Sequence, residues 1–376
     1  MKFTSLTQRF AVWFTLVSLL PIVVIGNSFL HTFENEIQKT VIENLSAIAD
    51  KKVEQIDTYL NERLLDANLL HDSIATRTAM LGFPEVFEEQ GVDSDAYRQL
   101  DAQYRDHFKR FVEDASYYDL FLISLKGDIV YTQSHESDFA TNLITGPYSN
   151  TGLGQVTRHA LNNLESSISD FEFYEPSHGA IAAFIAYPII ISDKIVGVLA
   201  LQIYSEHVFE VLSNNIGLGE TGETVVVRLE DENTALVMAP LNNDADAALK
   251  RRIPLSTPHS IALKNALSGQ PGAAIMLYYH KKGVVAVWRY LPRMKWGIVV
   301  KKDVDEAFAN VYKVRQYSMI ILGVTLLGVI FGAILFNRRV VTPLKQLNNG
   351  AMEIAAGNLH QRVFIAGWNE MRQLGH

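Results

Sequence analysis

Two long runs without a single charge constrain this chain more than anything else in it. The first, AVWFTLVSLLPIVVIGNSFL at residues 11–30, and the second, YSMIILGVTLLGVIFGAILF at residues 317–336, are each 20 residues long. As helices rising about 1.5 Å per residue, each covers the roughly 30 Å hydrocarbon core of a bilayer. Thirteen Leu, Ile, Val or Phe side chains fall in residues 10–30 and twelve in the second run, which outweighs the insertion cost of Pro21, Gly26 and Asn27. A cleaved signal peptide is the alternative for the first run, although it exceeds a usual signal core and no A-x-A-like site follows. A buried core helix is the alternative for the second. Lys2 and Arg9 precede the first run, and Arg338, Arg339 and Lys345 follow the second. The positive-inside tendency therefore puts both termini in the cytoplasm and residues 31–316 outside it. Lys313 and Arg315 do not reverse this, because a long segment translocates largely regardless of charge. Gly328 and Gly332 form a G-x-x-x-G, a spacing that lets two helix backbones meet closely.

The remaining composition removes whole classes of function. The chain has no cysteine, which excludes disulfides, thiolate zinc sites, iron–sulfur clusters and thiol nucleophiles. A net charge of −8 without a basic cluster argues against nucleic-acid binding, which needs Lys/Arg to displace counterions from phosphates. No H-E-x-x-H, G-x-S-x-G or G-x-x-x-x-G-K-[ST] occurs, so no catalytic residue, metal or cofactor is expected.

In the outer segment, residues 27–81 contain neither Gly nor Pro, and Ile37, Val41, Leu45, Ile48, Val53, Ile56, Leu60 and Leu64 recur at helical spacing. One long helix is expected, ended by Leu81, Gly82, Phe83 and Pro84, with a charged helical piece over residues 93–111. Strand patterns follow. LFLIS and GDIVYT flank Leu125-Lys126, and AIAAFIAYPIII and KIVGVLALQIY flank Ser192-Asp193; both pairs predict antiparallel hairpins. Residues 133–177 between them read as loop, with Gly146-Pro147, Ser149-Asn150 and Gly152 as turn signals. A similar order of elements then returns: ETVVVRLE, a loop with Pro254, a short helix over residues 259–267, and the strands AAIMLYYH, GVVAVWRYL and WGIVVKKD. Between the halves GLGETG, residues 217–222, is a literal G-x-G-x-x-G. A dinucleotide site requires a helix after it, whereas a strand follows here, so it predicts a turn.

Pocket candidates lie in the first half. Tyr131, Tyr148, Phe171, Tyr174, Phe184 and Tyr187 fall on strands or the intervening loop, where aromatic residues serve a core or line a ligand site. Arg158 is the one arginine between Lys126 and Lys194 and is the natural carboxylate clamp. His135, Glu136 and Asp138 crowd one loop, which reads as a solvated charged loop with a cation site as the alternative, and Asp138 joins the pocket candidates.

The stretches YYDLFLISLKGDIVYT, ESDFATNLITGPYS, AAFIAYPIIISDKIVGVLALQ, GLGETGETVVV and VAVWRYLPRMKWGIVVKKD resemble the double Cache sensors of bacterial receptors, over residues 32 to 308. RRVVTPLKQLNNGAMEIAAGNLHQRVFIAGWNEMRQL resembles the HAMP signalling module: Pro343 begins the first helix, Gly357, Leu359 and Val363 fit its connector, and Glu370 matches the acidic residue opening its second helix. The resemblance implies an α/β (α+β) fold, with two PAS-like antiparallel-sheet modules on a long N-terminal helix, two transmembrane helices and a HAMP parallel coiled coil. The implied division is a cytoplasmic N-terminus 1–9, a span 10–30, a stalk helix and helical entry 31–118, a membrane-distal Cache module 119–216, a proximal one 217–304, a linking helix 305–316, a span 317–336 and HAMP 337–376. It further implies a small-molecule ligand in a periplasmic distal pocket, a homodimer in the bacterial inner membrane, and a cytoplasmic effector. A histidine kinase with its response regulator is the first expectation, and a chemotaxis domain or diguanylate cyclase the next. Seven residues after Asn369 are too few for a second HAMP helix, so a longer parent protein is expected. Many amino-acid-binding relatives carry an Arg and Trp pair in the distal module, whereas Trp13, Trp288, Trp296 and Trp368 all lie elsewhere. A membrane-tethered adaptor whose outer segment binds a periplasmic protein is the rival reading.

Overall fold

The computed structural model describes residues 6–277 and 283–355, in two units, Ile42–Glu306 and the pair Met1–Val41 with Ala307–His376. Within the first of these, helix α1 (Leu6–His71) buries Leu45, Ala49, Ile56, Leu60, Ala67 and Leu70, of which Leu45, Ile56 and Leu60 belong to the stripe that its spacing predicts. The helix does not run to Leu81. It stops at His71, and α2 (Ile74–Gln90) restarts after Ser73, whose side chain accepts from the Thr76 N–H at 3.1 Å. A side-chain cap stabilises a restart by about 1 kcal/mol, a local signal the period cannot show. Gly82 and Pro84 sit inside α2 because Met80 and Phe83 on either side are fully buried, and that burial offsets the roughly 3 kcal/mol that an internal proline costs. Helix α3 (Asp95–Asp114) is capped in the same way by Ser94.

The first sheet contains β1 (Asp119–Ser124), β2 (Ile129–Thr132), β3 (Ser167–Ile168), β4 (Glu172–Tyr174), β5 (Ala180–Ile191) and β6 (Lys194–Tyr204), in the order β2-β1-β6-β5-β3 with β4 also on β5. Both predicted hairpins are present. Ser192 and Asp193 turn the second with φ of 51° and 60°, the paired left-handed conformation that matches strand twist. Both faces of this sheet are covered. Leu120, Leu122, Leu199 and Leu201 join the core with α1, α2 and α3, while Phe121, Ile123, Phe184 and Val198 face the other way. Double coverage is why these strands read as continuous apolar runs.

The opposite cover is α4 (Gly152–Asn163), inside the stretch expected to be loop. Thr151 caps it by accepting from the Gly154 N–H, and Leu153, Val156 and Ala160 form its buried stripe. Gly152 reads as a turn signal, yet it and Gly154 are small because the chain approaches closely: a Cβ on Gly154 would clash with the Ser149 carbonyl oxygen.

After α5 (Glu206–Ser213), Gly217 and Gly219 both adopt φ of +84° and lead into β7 (Glu223–Asp231). The turn reading of GLGETG holds. The second sheet runs β10-β11-β12-β7-β8-β9, with β8 (Thr234–Val237), β9 (Arg252–Pro254), β10 (Gly272–Leu277), β11 (Gly283–Leu291) and β12 (Trp296–Asp303). Helix α6 (Ile261–Leu267) covers it through Ala262, Leu263 and Ala266.

In the other unit, after the short α7 (Val304–Ala307), helix α8 (Ala309–Phe336) carries the second apolar run. Among the described residues, two helices are long and apolar enough to cross a membrane. A π-helical turn (Asn337–Val341) precedes α9 (Thr342–Ala355), with Pro343 in its first turn. Gly357, Leu359, Val363 and Glu370 lie outside the described residues.

Candidate functional site

Strand β1 begins with Asp119 directly opposite Gln202 near the end of β6, and both are buried. Asp119 Oδ1 accepts from the backbone N–H groups of Leu120, Gln133 and Ser134 at 2.7, 2.9 and 3.0 Å, and Oδ2 accepts from the Thr132 hydroxyl. Burial pushes this carboxyl up to about 7, against the pull of the Thr132 hydroxyl and the backbone donors. Gln202 Nε2 donates to Ser177 Oγ at 2.9 Å, Ser177 Oγ donates to Glu136 Oε2 at 2.7 Å, and Tyr118 donates to Glu136 Oε1 at 2.6 Å. Burial, with Glu136 adding, pushes the Tyr118 phenol up to about 12.

Next to this chain of bonds, Tyr174 donates to Asp138 Oδ2 at 2.6 Å, with both side chains fully buried. Burial raises the Asp138 carboxyl; the Tyr174 hydroxyl opposes and Glu136 reinforces the shift. The Tyr174 ring packs 4.7 Å from Phe184 and 6.2 Å from Tyr148, and Tyr148 donates to exposed Glu175 at 3.0 Å. The acids thus reach from the sheet to solvent. Among the described residues, Asp119, Glu136, Asp138 and Glu175 have no ion pair with Lys or Arg. Asp138 Oδ1, Gln202 Oε1 and Thr157 Oγ1, on the face covered by α4, are buried without a hydrogen-bond partner. Leaving a buried acceptor unsatisfied costs about 1–3 kcal/mol, so the arrangement favours an incoming donor.

Of the residues singled out from sequence, Asp138, Tyr148, Tyr174 and Phe184 meet here. Arg158 lies on α4 at the same face, but its guanidinium binds the backbone carbonyls of Leu143 and Ser149. Tyr131 and Tyr187 lie on the opposite face. Tyr131 packs 5.1 Å from Phe83 and 5.3 Å from Phe108, and Tyr187 stacks 5.0 Å from His71. Phe171 sits at the start of the second sheet's territory, 5.9 Å from Trp296. Sequence reasoning passed over Tyr118, Asp119, Thr132, Ser177 and Gln202. The available signal was a polar residue in phase with the inward side of an apolar strand, as in DLFLIS and VLALQIY. The loop acids hold no metal cluster among the described residues.

The Tlp3 chemoreceptor ligand-binding domain of Campylobacter jejuni, solved with L-valine, is 10% identical with a TM-score of 0.50, covering 73% of this chain and 96% of that one. The same domain with 4-methylisoleucine is 11% identical, also at 0.50, covering 72% and 94%. The sensor domain of the V. cholerae histidine kinase DctB is 15% identical at 0.48, covering 71% and 98%. These likenesses are of fold. No curated protein matches in sequence. The HAMP domain profile matches residues 335–376, and the Cache domain profile matches residues 33–311, which take in both sheets. The chain belongs to the Cache domain family.

Proposed function

We propose that this chain is the sensory part of a transmembrane receptor, and that the acidic pocket on the first sheet binds a small solute presenting N–H donors, an ammonium group above all. The observation carrying this is the surplus of acceptors: four carboxylates without cationic partners around the unpartnered Asp138 Oδ1 and Gln202 Oε1. Tyr148, Tyr174 and Phe184 supply apolar walls, as small-ligand sites do, and Tlp3 was solved with amino acids, which carry an ammonium group. The pocket faces the periplasm in this reading, with α1 and α8 as the spans and both termini cytoplasmic. Residues 119–216 and 217–304 form distal and proximal Cache modules. A homodimer, apposed through Gly328 and Gly332, passes the signal through Pro343 and the connector residues Gly357, Leu359, Val363 and Glu370 to a histidine kinase and its response regulator. A ligand favouring one conformation by about 1–3 kcal/mol would change such an output roughly 5- to 150-fold. The test is thermal unfolding of the full chain in nanodiscs with ethanolamine, putrescine, L-valine and succinate. Amines raise the Tm of the native chain and not of Asp138→Asn; a shift with succinate alone, or one that survives that substitution, refutes the assignment.

A further inference from the structure

A cleft of about 450 Å³ opens where the segment after β3 meets the second sheet. Its chemistry is opposite to that of the acidic cluster on the first sheet. Arg228, Arg293 and Lys295 line it together with a single carboxylate, Asp170. That carboxylate is already satisfied: Oδ2 accepts from Arg228 at 2.6 Å, and Oδ1 from the Trp296 ring N–H at 3.0 Å and the Phe171 N–H at 2.8 Å. Arg228 has one hydrogen bond among the described residues, leaving most of its five N–H donors open. Arg293 is tied on its far side to Asp57 and Asn61. Lys295 is exposed, and its ammonium has no partner among the described residues. Leu229, Leu267 and Tyr290 supply apolar wall, and Leu229 is 50% exposed.

We infer that this cleft is a second ligand site, for a small organic carboxylate with an apolar body: the carboxylate faces Arg228 and Lys295, and the body covers Leu229 and Tyr290. The volume suits a metabolite-sized molecule, and planar donors on Arg228 suit a carboxylate. The occupant bridges residues 168–170, at and after the end of β3, and the β11–β12 turn of the second sheet.

The test is calorimetric titration of the full chain in zwitterionic nanodiscs with hexanoate, 4-phenylbutyrate, 4-phenylbutylamine and inorganic phosphate. Saturable binding of 4-phenylbutyrate is expected, weakened at least about tenfold by Lys295→Glu and by Leu229→Glu and unchanged by Asp138→Asn. Both altered residues are exposed, so the variants fold. No saturable heat from either carboxylate up to about 10 mM, equal affinity in Lys295→Glu, or loss in Asp138→Asn overturns the inference. Phosphate binding as tightly as 4-phenylbutyrate overturns the apolar part. Failure of the amines at the acidic pocket leaves this result untouched.

Discussion

Lys52 on α1 donates to the Leu212 carbonyl at 2.9 Å, and its remaining ammonium protons go to the carbonyls of Val211 at 2.7 Å and Asn214 at 2.8 Å. These are the open carbonyls at the end of α5, which otherwise need solvent. Burial lowers this ammonium to about 8, so it remains charged at neutral pH. Lys52→Met removes three bonds while keeping the stem, and is expected to cost about 2–3 kcal/mol, read as a lower urea midpoint at unchanged m.

Asp119 makes stability depend on pH in an unusual direction. Its folded carboxyl titrates near 7, against an ordinary 3.8, so between these values the folded state holds more proton than the unfolded one. Through this group stability is full below about pH 4 and falls as pH rises to about 7, by a few kcal/mol in all. The wild type minus Asp119→Asn difference in unfolding free energy, measured from pH 4.5 to 8, is expected to decline with pH. A flat difference would show that Asp119 ionises normally.

Removing the Tyr174 hydroxyl deletes the side-chain donor to Asp138 Oδ2, beside an Oδ1 that already has no hydrogen-bond partner. Tyr174→Phe is expected to lower stability by about 1–3 kcal/mol, and an added amine is expected to restore more of the Tm in this variant than it adds to the wild type.

Gly154→Ala puts a methyl against the Ser149 carbonyl. Overpacking of this kind costs about 1–3 kcal/mol. Hydrogen exchange is expected to quicken in residues 143–163 while the second sheet keeps its protection.

Trp296 is fully buried and donates to Asp170. Trp296→Phe deletes that bond and is expected to cost about 1–2 kcal/mol and to redden the emission of the remaining tryptophans only if the two sheets separate.

Elements whose period or turn chemistry is local were legible in the sequence: the apolar runs, the buried stripe of α1, the hairpins at Leu125-Lys126 and Ser192-Asp193, and the strand after GLGETG. Repetition along the chain suffices for these, because each residue's environment follows from its neighbours at two or 3.6 positions. Tertiary structure decided the rest. Pro84 stays helical because Phe83 is buried beneath a sheet formed later in the chain, and Gly152 and Gly154 open a helix because Ser149 and Ser169 crowd them. The candidate site joins Asp119, Asp138, Tyr174 and Gln202, residues up to 83 positions apart, and half of that set looked like ordinary strand. Which face of a doubly covered strand meets which helix is fixed by packing across the sheet, and no period within the strand encodes it.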